Sequence, residues 1–428
     1  MIPRTSVTGS FNATERTQAV LSALFFLLLL SVAGLANANG ADIDAFLTRH
    51  WSRPLAPQGS PSPKFSPQEA SLNPADCGQC HADQFRDWQA TLHARAMGPG
   101  LMGQLIDMPA KARDQHQECI RCHAPLAEQA DTLVEAIAAA GPGKTRKAPA
   151  ADTAPPKRAA LHEQGLTCAA CHVRAHQRFG PPRRDGSAPD ATQNAVLPHG
   201  GFIATPAFED SRFCAACHQF DADGFALNGK LIENTYEEWK ASRHAREGRH
   251  CQSCHMPDRR HLWRGIHDPD TVRAGVEFLP QPPSLRGRTV RAALRIRNTG
   301  TGHHFPTYVT PRVVAEIEQL DAAGKALRGT RVERVIQRKV PLDLSREIAD
   351  TRLPPDGELN VDYRKPRVRG AAALTYRLRV EPDEFYARFY RSILADGSAR
   401  RGAPLIRQAL KEAEASGFVA YQQQLPLR

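Results

Sequence analysis

One pentapeptide constrains this chain more than any other feature. It occurs five times, as Cys77-Gly-Gln-Cys80-His81, Cys119-Ile-Arg-Cys122-His123, Cys168-Ala-Ala-Cys171-His172, Cys214-Ala-Ala-Cys217-His218 and Cys251-Gln-Ser-Cys254-His255. These copies use all ten cysteines. C-x-x-C-H is the attachment signature of a c-type haem. Two thiols take the porphyrin as thioethers, and the histidine is the first axial ligand of the iron. The motifs therefore call for five covalently attached haem c groups, with iron as the working metal. Disulfides suit an even cysteine count in an exported protein, but they leave the histidine after each pair unexplained. Zinc needs four ligands near a tetrahedron, and five pairs cannot be shared out evenly among such sites. A thioredoxin-like pair sits at a helix start after a strand, a context not repeated five times here.

Successive first cysteines are 42, 49, 46 and 37 residues apart. Such segments are too short to carry separate apolar cores. Mean hydropathy is accordingly low, −0.45, and the macrocycles are expected to serve as the core. Short helices and irregular turns would wrap around them. Pro125 followed by the Leu126/Ala130/Leu133/Ile137 stripe predicts one longer helix. Gly141 to Pro156 and Pro181 to Thr192 read as loose insertions.

Arg4 and Arg16 precede an apolar run from Ala19 to Leu35, and Ala36-Asn37-Ala38 offers a small-x-small cleavage site. Residues 1–38 are thus expected to be a leader that directs the chain to the periplasm, with an outer-surface destination compatible. The membrane would be met only through that leader, if uncleaved. Residues 39–76 form an extended, proline-rich lead-in, 77–280 the pentahaem domain, and 281–428 a β-rich domain. The formal charge is +11. Loss of the leader and the addition of ten propionates against five ferric centres bring it to about +5. That balance suits redox protein partners or a quinol-linked donor. No nucleic-acid motif is present, and no nucleic-acid partner is expected.

Each iron needs a sixth ligand or an open face. Of seventeen histidines, twelve lie outside the motifs, whereas methionine is scarce. Imidazole on both sides is the default, which favours the ferric state and low potentials. An internal repeat narrows the choice. Phe85-Arg-Asp-Trp88-Gln-Ala-Thr-Leu-His93-Ala-Arg matches Tyr236-Glu-Glu-Trp239-Lys-Ala-Ser-Arg-His244-Ala-Arg. Recurrence of the whole pattern points to His93 and His244, with the tryptophans packed on porphyrin. His199 lies in Leu-Pro-His-Gly-Gly, where glycines admit a flat cofactor. His261 and His267 follow the fifth motif closely enough to reach a neighbouring iron.

From Thr289 the pattern changes. Val290, Ala292, Leu294 and Ile296 alternate with arginines and alanine, as do Leu374, Tyr376, Leu378 and Val380 with polar residues; Val313, Ala315 and Ile317 give a shorter alternation. With 332–340 and 359–363 these predict a small antiparallel sheet or sandwich. Helices are expected over 383–394 and 404–416. The glycine-rich turn at 298–306 would carry His303 or His304 toward a haem. The fold class is thus a mainly α and irregular multihaem cytochrome domain, followed by a small mostly-β domain with C-terminal helices.

The chain resembles the multihaem cytochromes of the cytochrome c554 and hydroxylamine oxidoreductase superfamily over residues 72–310. The resemblance rests on Cys77-Gly-Gln-Cys-His with Trp88 and His93, on Cys254-His-Met-Pro257 with His261 and His267, and on Gly302-His-His-Phe-Pro-Thr307. It implies closely packed haems that carry electrons, in some cases beside one open iron. It also implies His93 as a distal ligand, and His303 rather than His304. Pentahaem nitrite reductases usually replace one motif histidine by lysine; here all five are histidine. The expected function is electron relay, with no catalytic residue assigned. The opposing expectation is an oxidoreductase that takes a small nitrogen or sulfur compound, an inorganic substrate, at one five-coordinate haem. A third is a conduit of polymerised subunits joined by a donated histidine.

Overall fold

The computed structural model describes residues 40–109, 111–140, 159–187 and 197–427. The leader, the expected loose insertion at 141–156 and residues 188–192 of the second lie outside them. Two units are distinguished, 1–52 and 53–428. In the first, residues 40–50 are helical. The second contains all five motifs and the β-rich region together.

Within 53–276 the secondary structure is short and mostly helical, with two small sheets of strands two to four residues long. Each motif occupies a turn of helix or the residues just after one: Pro74–Cys77, Arg113–His123, Cys168–His172, Arg212–His218 and Cys251–His255. The predicted longer helix spans Ala127–Ala140. Its buried stripe of Ala130, Leu133 and Ile137 packs with Met97, Met102, Leu105 and Ile120. Leu126 joins a second small cluster with Leu55, Ala169, Ala170 and Val173.

The C-terminal region is a two-sheet sandwich. Strand β1 (Glu277–Arg286), β2 (Thr289–Arg297) and β5 (Glu358–Pro366) form one antiparallel sheet in the order β5-β2-β1. β3 (Arg312–Leu320), β4 (Val332–Ile336), β6 (Ala373–Glu381) and β7 (Phe418–Pro426) form the other, ordered β7-β6-β3-β4. Alternate residues from both sheets meet in one core: Val290, Leu294, Ile296, Val361 and Tyr363 against Val313, Ala315, Ile317, Leu374, Tyr376 and Leu378. Period-two alternation puts these side chains on one face of each strand. Three hydrogen bonds cross between the sheets: from Tyr376 Oη to the Gln281 carbonyl at 2.6 Å, and from Gln319 Nε2 to Tyr363 Oη at 3.0 Å and to the Pro366 carbonyl at 2.8 Å.

Two strands escaped sequence reasoning. β1 contains Pro280, Pro282 and Pro283, which read as strand breakers. It is an edge strand whose register slips between Gln281 and Ser284, and edges and bulges are where proline is tolerated. The sheet therefore begins at Glu277. β7 follows the last helix directly and pairs with β6. The terminal helices run Glu384–Ala395 and Ala403–Ala415, close to the expected ranges. They pack around Tyr390, Ile406 and Ala409 and lie against the helix Pro99–Leu105. Glycine allows that approach: a β-carbon at Gly103 would meet Ile406, and one at Gly402 would meet the Gly103 carbonyl.

Candidate haem centres

In a helical turn the two cysteines of a motif, three apart, share a face with the histidine that follows. Thr167 and Asn73 cap two of these turns through their side chains. The turns converge. Cys77 lies in hydrogen-bonding reach of Cys168, Cys122 of Cys217, and Cys251 of Cys214. Those contacts pull the Cys77, Cys122 and Cys251 thiols down to about 7 and push their partners up. Cys171 interacts electrostatically with both Cys214 and Cys217. The motifs thus meet as first to third, second to fourth and fourth to fifth, with the third in electrostatic range of the fourth. No disulfide joins any of the ten cysteines. Among the described residues no three His, Cys, Asp or Glu side chains converge as a metal cage.

Four motif histidines face a second imidazole. Ring centres are 6.5 Å apart for His81 and His199, and 6.3 Å for His218 and His93. They are 6.2 Å apart for His172 and His261, and 6.3 Å for His255 and His303. Two metal–imidazole bonds of about 2 Å, with roughly 1.1 Å from each nitrogen to its ring centre, give about 6.2 Å. The gap therefore fits one ion held axially from both sides. No imidazole faces His123, and every histidine of the chain is among the described residues.

The hydrogen bonds agree with that reading. The Nδ1–H groups of His123, His172 and His255 donate to the carbonyls of Ala96, Phe179 and Arg264, each at 2.7 Å. Those of His199, His261 and His303 donate to Gly201, Arg259 and His304 at 2.9, 3.1 and 2.9 Å. Donation from Nδ1 fixes the tautomer and leaves the Nε2 lone pair for a metal. His218 differs, because its Nδ1 lies 2.8 Å from Tyr308 Oη, to which it donates when Nε2 is on a metal. His93 Nδ1 is buried without a hydrogen-bond partner. Withdrawal from water holds the imidazoles neutral: His93 is pushed down to about 3, and His172 and His218 to about 4.

His199 sits at φ 44°, in the left-handed region, before Gly200 and Gly201, which share it. A non-glycine residue held there stores local strain. The Glu69 carboxylate secures it, accepting from the His199 N–H at 2.6 Å. That bond, then those from Ser66, draw the Glu69 carboxyl down to about 2.

Two expected ligands are not brought to a motif histidine. His244 is buried, yet it packs beside Gly302 at the root of the turn that carries His303; His303 faces His255 in its place. His267 Nε2 instead pairs with Asp383 Oδ2 at 3.0 Å. The tryptophans of the repeat are both held through their ring nitrogens. Each donates its indole N–H to a backbone carbonyl, Trp88 to Leu166 and Trp239 to Arg249.

Sequence reasoning missed Tyr308 and Trp263. Trp263 lies edge-on to both His93 and His261, with ring centres 4.8 and 5.0 Å away. Tyr308 also interacts with Thr235, which donates to Glu233 Oε1 at 2.9 Å. Removal from water pushes Glu233 up to about 8. Only the Thr-Tyr continuation of the Gly-His-His-Phe-Pro turn could have drawn attention to Tyr308.

Residues 76–141 match the family model described as cytochrome c554 and c-prime. No curated protein sequence matches the chain. The fold is similar to that of a penta-heme cytochrome c552 from Thermochromatium tepidum, with a TM-score of 0.56 and 17% identity over 85% of this chain and 100% of that one.

Proposed function

We propose that this chain, a multihaem c-type cytochrome, relays single electrons through five covalently bound haem c groups outside the cytoplasmic membrane. The observation that carries the reading is the set of four imidazole pairs, each spaced for one metal ion, on motifs whose thiols meet as first to third, second to fourth and fourth to fifth. Bound haem would supply a one-electron ferric/ferrous couple at each motif. The cysteines would hold it. His81 and His199, His172 and His261, His218 and His93, and His255 and His303 would ligate four irons on both faces. The carbonyl-bound Nδ1 groups of His172, His199, His255, His261 and His303 stiffen those rings, which limits rearrangement when charge changes. Closeness of the motifs keeps each transfer short, and the fourth motif, which meets the second and the fifth and lies in electrostatic range of the third, would be the junction. The donor would be a redox protein or a quinol-linked partner, and the leader would export the chain.

A second reading, reaction of a small nitrogen or sulfur compound at the second motif, is favoured by one observation: no imidazole faces His123. One preparation tests both. Mature protein from a host competent in cytochrome maturation should carry five haem equivalents as alkali-stable pyridine haemochrome. Four low-spin ferric centres and one high-spin centre that shifts with nitrite or hydroxylamine support the second reading. Five low-spin centres indifferent to those additions leave electron relay alone. Colourless, folded protein overturns both.

A further inference from the structure

The repeated sequence around Trp88 and Trp239 does the same work twice, and that work is not supply of its own histidine. In the first copy, on the helix Ala82–Gln89, Trp88 Nε1–H donates at 2.8 Å to the carbonyl of Leu166, two residues before the third motif. In the second, on Thr235–Lys240, Trp239 Nε1–H donates at 2.9 Å to the carbonyl of Arg249, two residues before the fifth. The acid before each tryptophan turns the other way. Asp87 Oδ2 accepts from the backbone N–H of His261 at 3.2 Å. Glu238 Oε2 accepts from the N–H of His304 at 3.1 Å, next to His303.

His261 faces His172 of the third motif, and His303 faces His255 of the fifth. Each acid–tryptophan pair therefore holds both halves of one centre. Both acids are buried and each is matched by an arginine. Arg260 grips Asp87 with two bonds, Nε to Oδ2 at 2.8 Å and Nη2 to Oδ1 at 2.5 Å. Arg352 Nη1 reaches Glu238 Oε1 at 2.9 Å. The ring three residues before each tryptophan lies beside it, Phe85 at 5.8 Å and Tyr236 at 5.5 Å.

We propose that Asp87–Trp88 and Glu238–Trp239 are two copies of one positioning device, which fixes the motif segment and the opposing histidine of a single haem centre, the third and the fifth respectively. Asp87, Trp88, Glu238 and Trp239 are positioning residues, since none of them is placed to touch iron. The pairing rests on the haem reading above. It explains why the pattern recurs although only one of its two histidines, His93, faces another imidazole.

Ferric low-spin spectra of the full-length, haem-loaded protein test it, because the angle between axial rings sets the anisotropy of the signal. That angle is 36° for His172/His261 and 14° for His255/His303. Asp87→Ala and Trp88→Phe should convert at least half of the 36° signal to high spin, reversed by free imidazole, and leave the 14° signal unchanged. Glu238→Ala and Trp239→Phe should do the reverse. Asp87→Asn and Glu238→Gln, which keep a neutral acceptor, should show the same selectivity more weakly, and they decide the matter if the alanine variants do not accumulate. Variants with full haem content and four unchanged low-spin signals overturn the proposal, as does loss of one and the same centre by both sets. Fewer than five haems in the unsubstituted protein would instead count against the haem reading.

Discussion

His218 gives its Nδ1 proton to a phenol, where His123, His172 and His255 give theirs to backbone carbonyls. The imidazole opposite, His93, has no Nδ1 acceptor at all. An acceptor on Nδ1 makes the ring a stronger donor to the metal and favours the ferric ion. Tyr308→Phe should therefore raise the potential of the fourth-motif centre, by up to about 60 mV, a tenfold change in its reduced-to-oxidised ratio. A redox titration that resolves the five couples checks this, and an unmoved or lowered potential refutes it. Glu69 gives a pH effect. Its folded pKa of about 2 lies below the ordinary 4.5, because it accepts from the N–H of His199. The hold on His199 is therefore complete above pH 4.5 and is lost as pH falls toward 2. The low-spin signal of the His81/His199 pair should fade over that window, and in Glu69→Gln it should no longer depend on pH there.

Among the elements, the helix Pro99–Leu105 and the C-terminal helix Ala403–Ala415 come together through glycine. A β-carbon at Gly402 would sit 1.8 Å from the Gly103 carbonyl oxygen. Backbone cannot yield as a flexible side chain does, so Gly402→Ala should cost about 1–3 kcal/mol by overpacking. Denaturant unfolding measures this, and a change below 0.5 kcal/mol, the usual range for a neutral surface change, would show that the helices separate freely. Strand β1 makes a related point about local signals. Three prolines argue against a strand, yet an edge position and a register shift accommodate them. The alternating strands β2, β3 and β6 carry no such conflict, and their pattern alone predicts them.

Over the whole molecule, residues 53–428 form one unit, in which the sandwich reaches into the cysteine-rich region. The turn after β2 presents His303 to His255 and Tyr308 to His218, and Arg352 reaches back to Glu238. Arg338 likewise donates to the carbonyls of Leu227, Lys230 and Leu231. The two regions should therefore unfold together. Thermal melts followed by the Soret band and by far-ultraviolet dichroism are expected to coincide, and a sandwich that survives loss of the Soret signal would contradict this.

The five motifs, the alternating strands β2, β3 and β6 and the terminal helices were legible because each is written within a few consecutive residues. Covalent capture needs two thiols and an imidazole in one helical turn, and alternation needs only neighbours. Opposition of imidazoles is not local. Twelve histidines outside the motifs are chemically alike, and only the tertiary fold selects His93, His199, His261 and His303 to face motif histidines. It sends His267 to Asp383 and sets His244 behind Gly302. The repeat was visible in the sequence, but its use was not. A buried carboxylate takes its meaning from the backbone N–H it meets across the fold, and that partner lies in a segment no local pattern names.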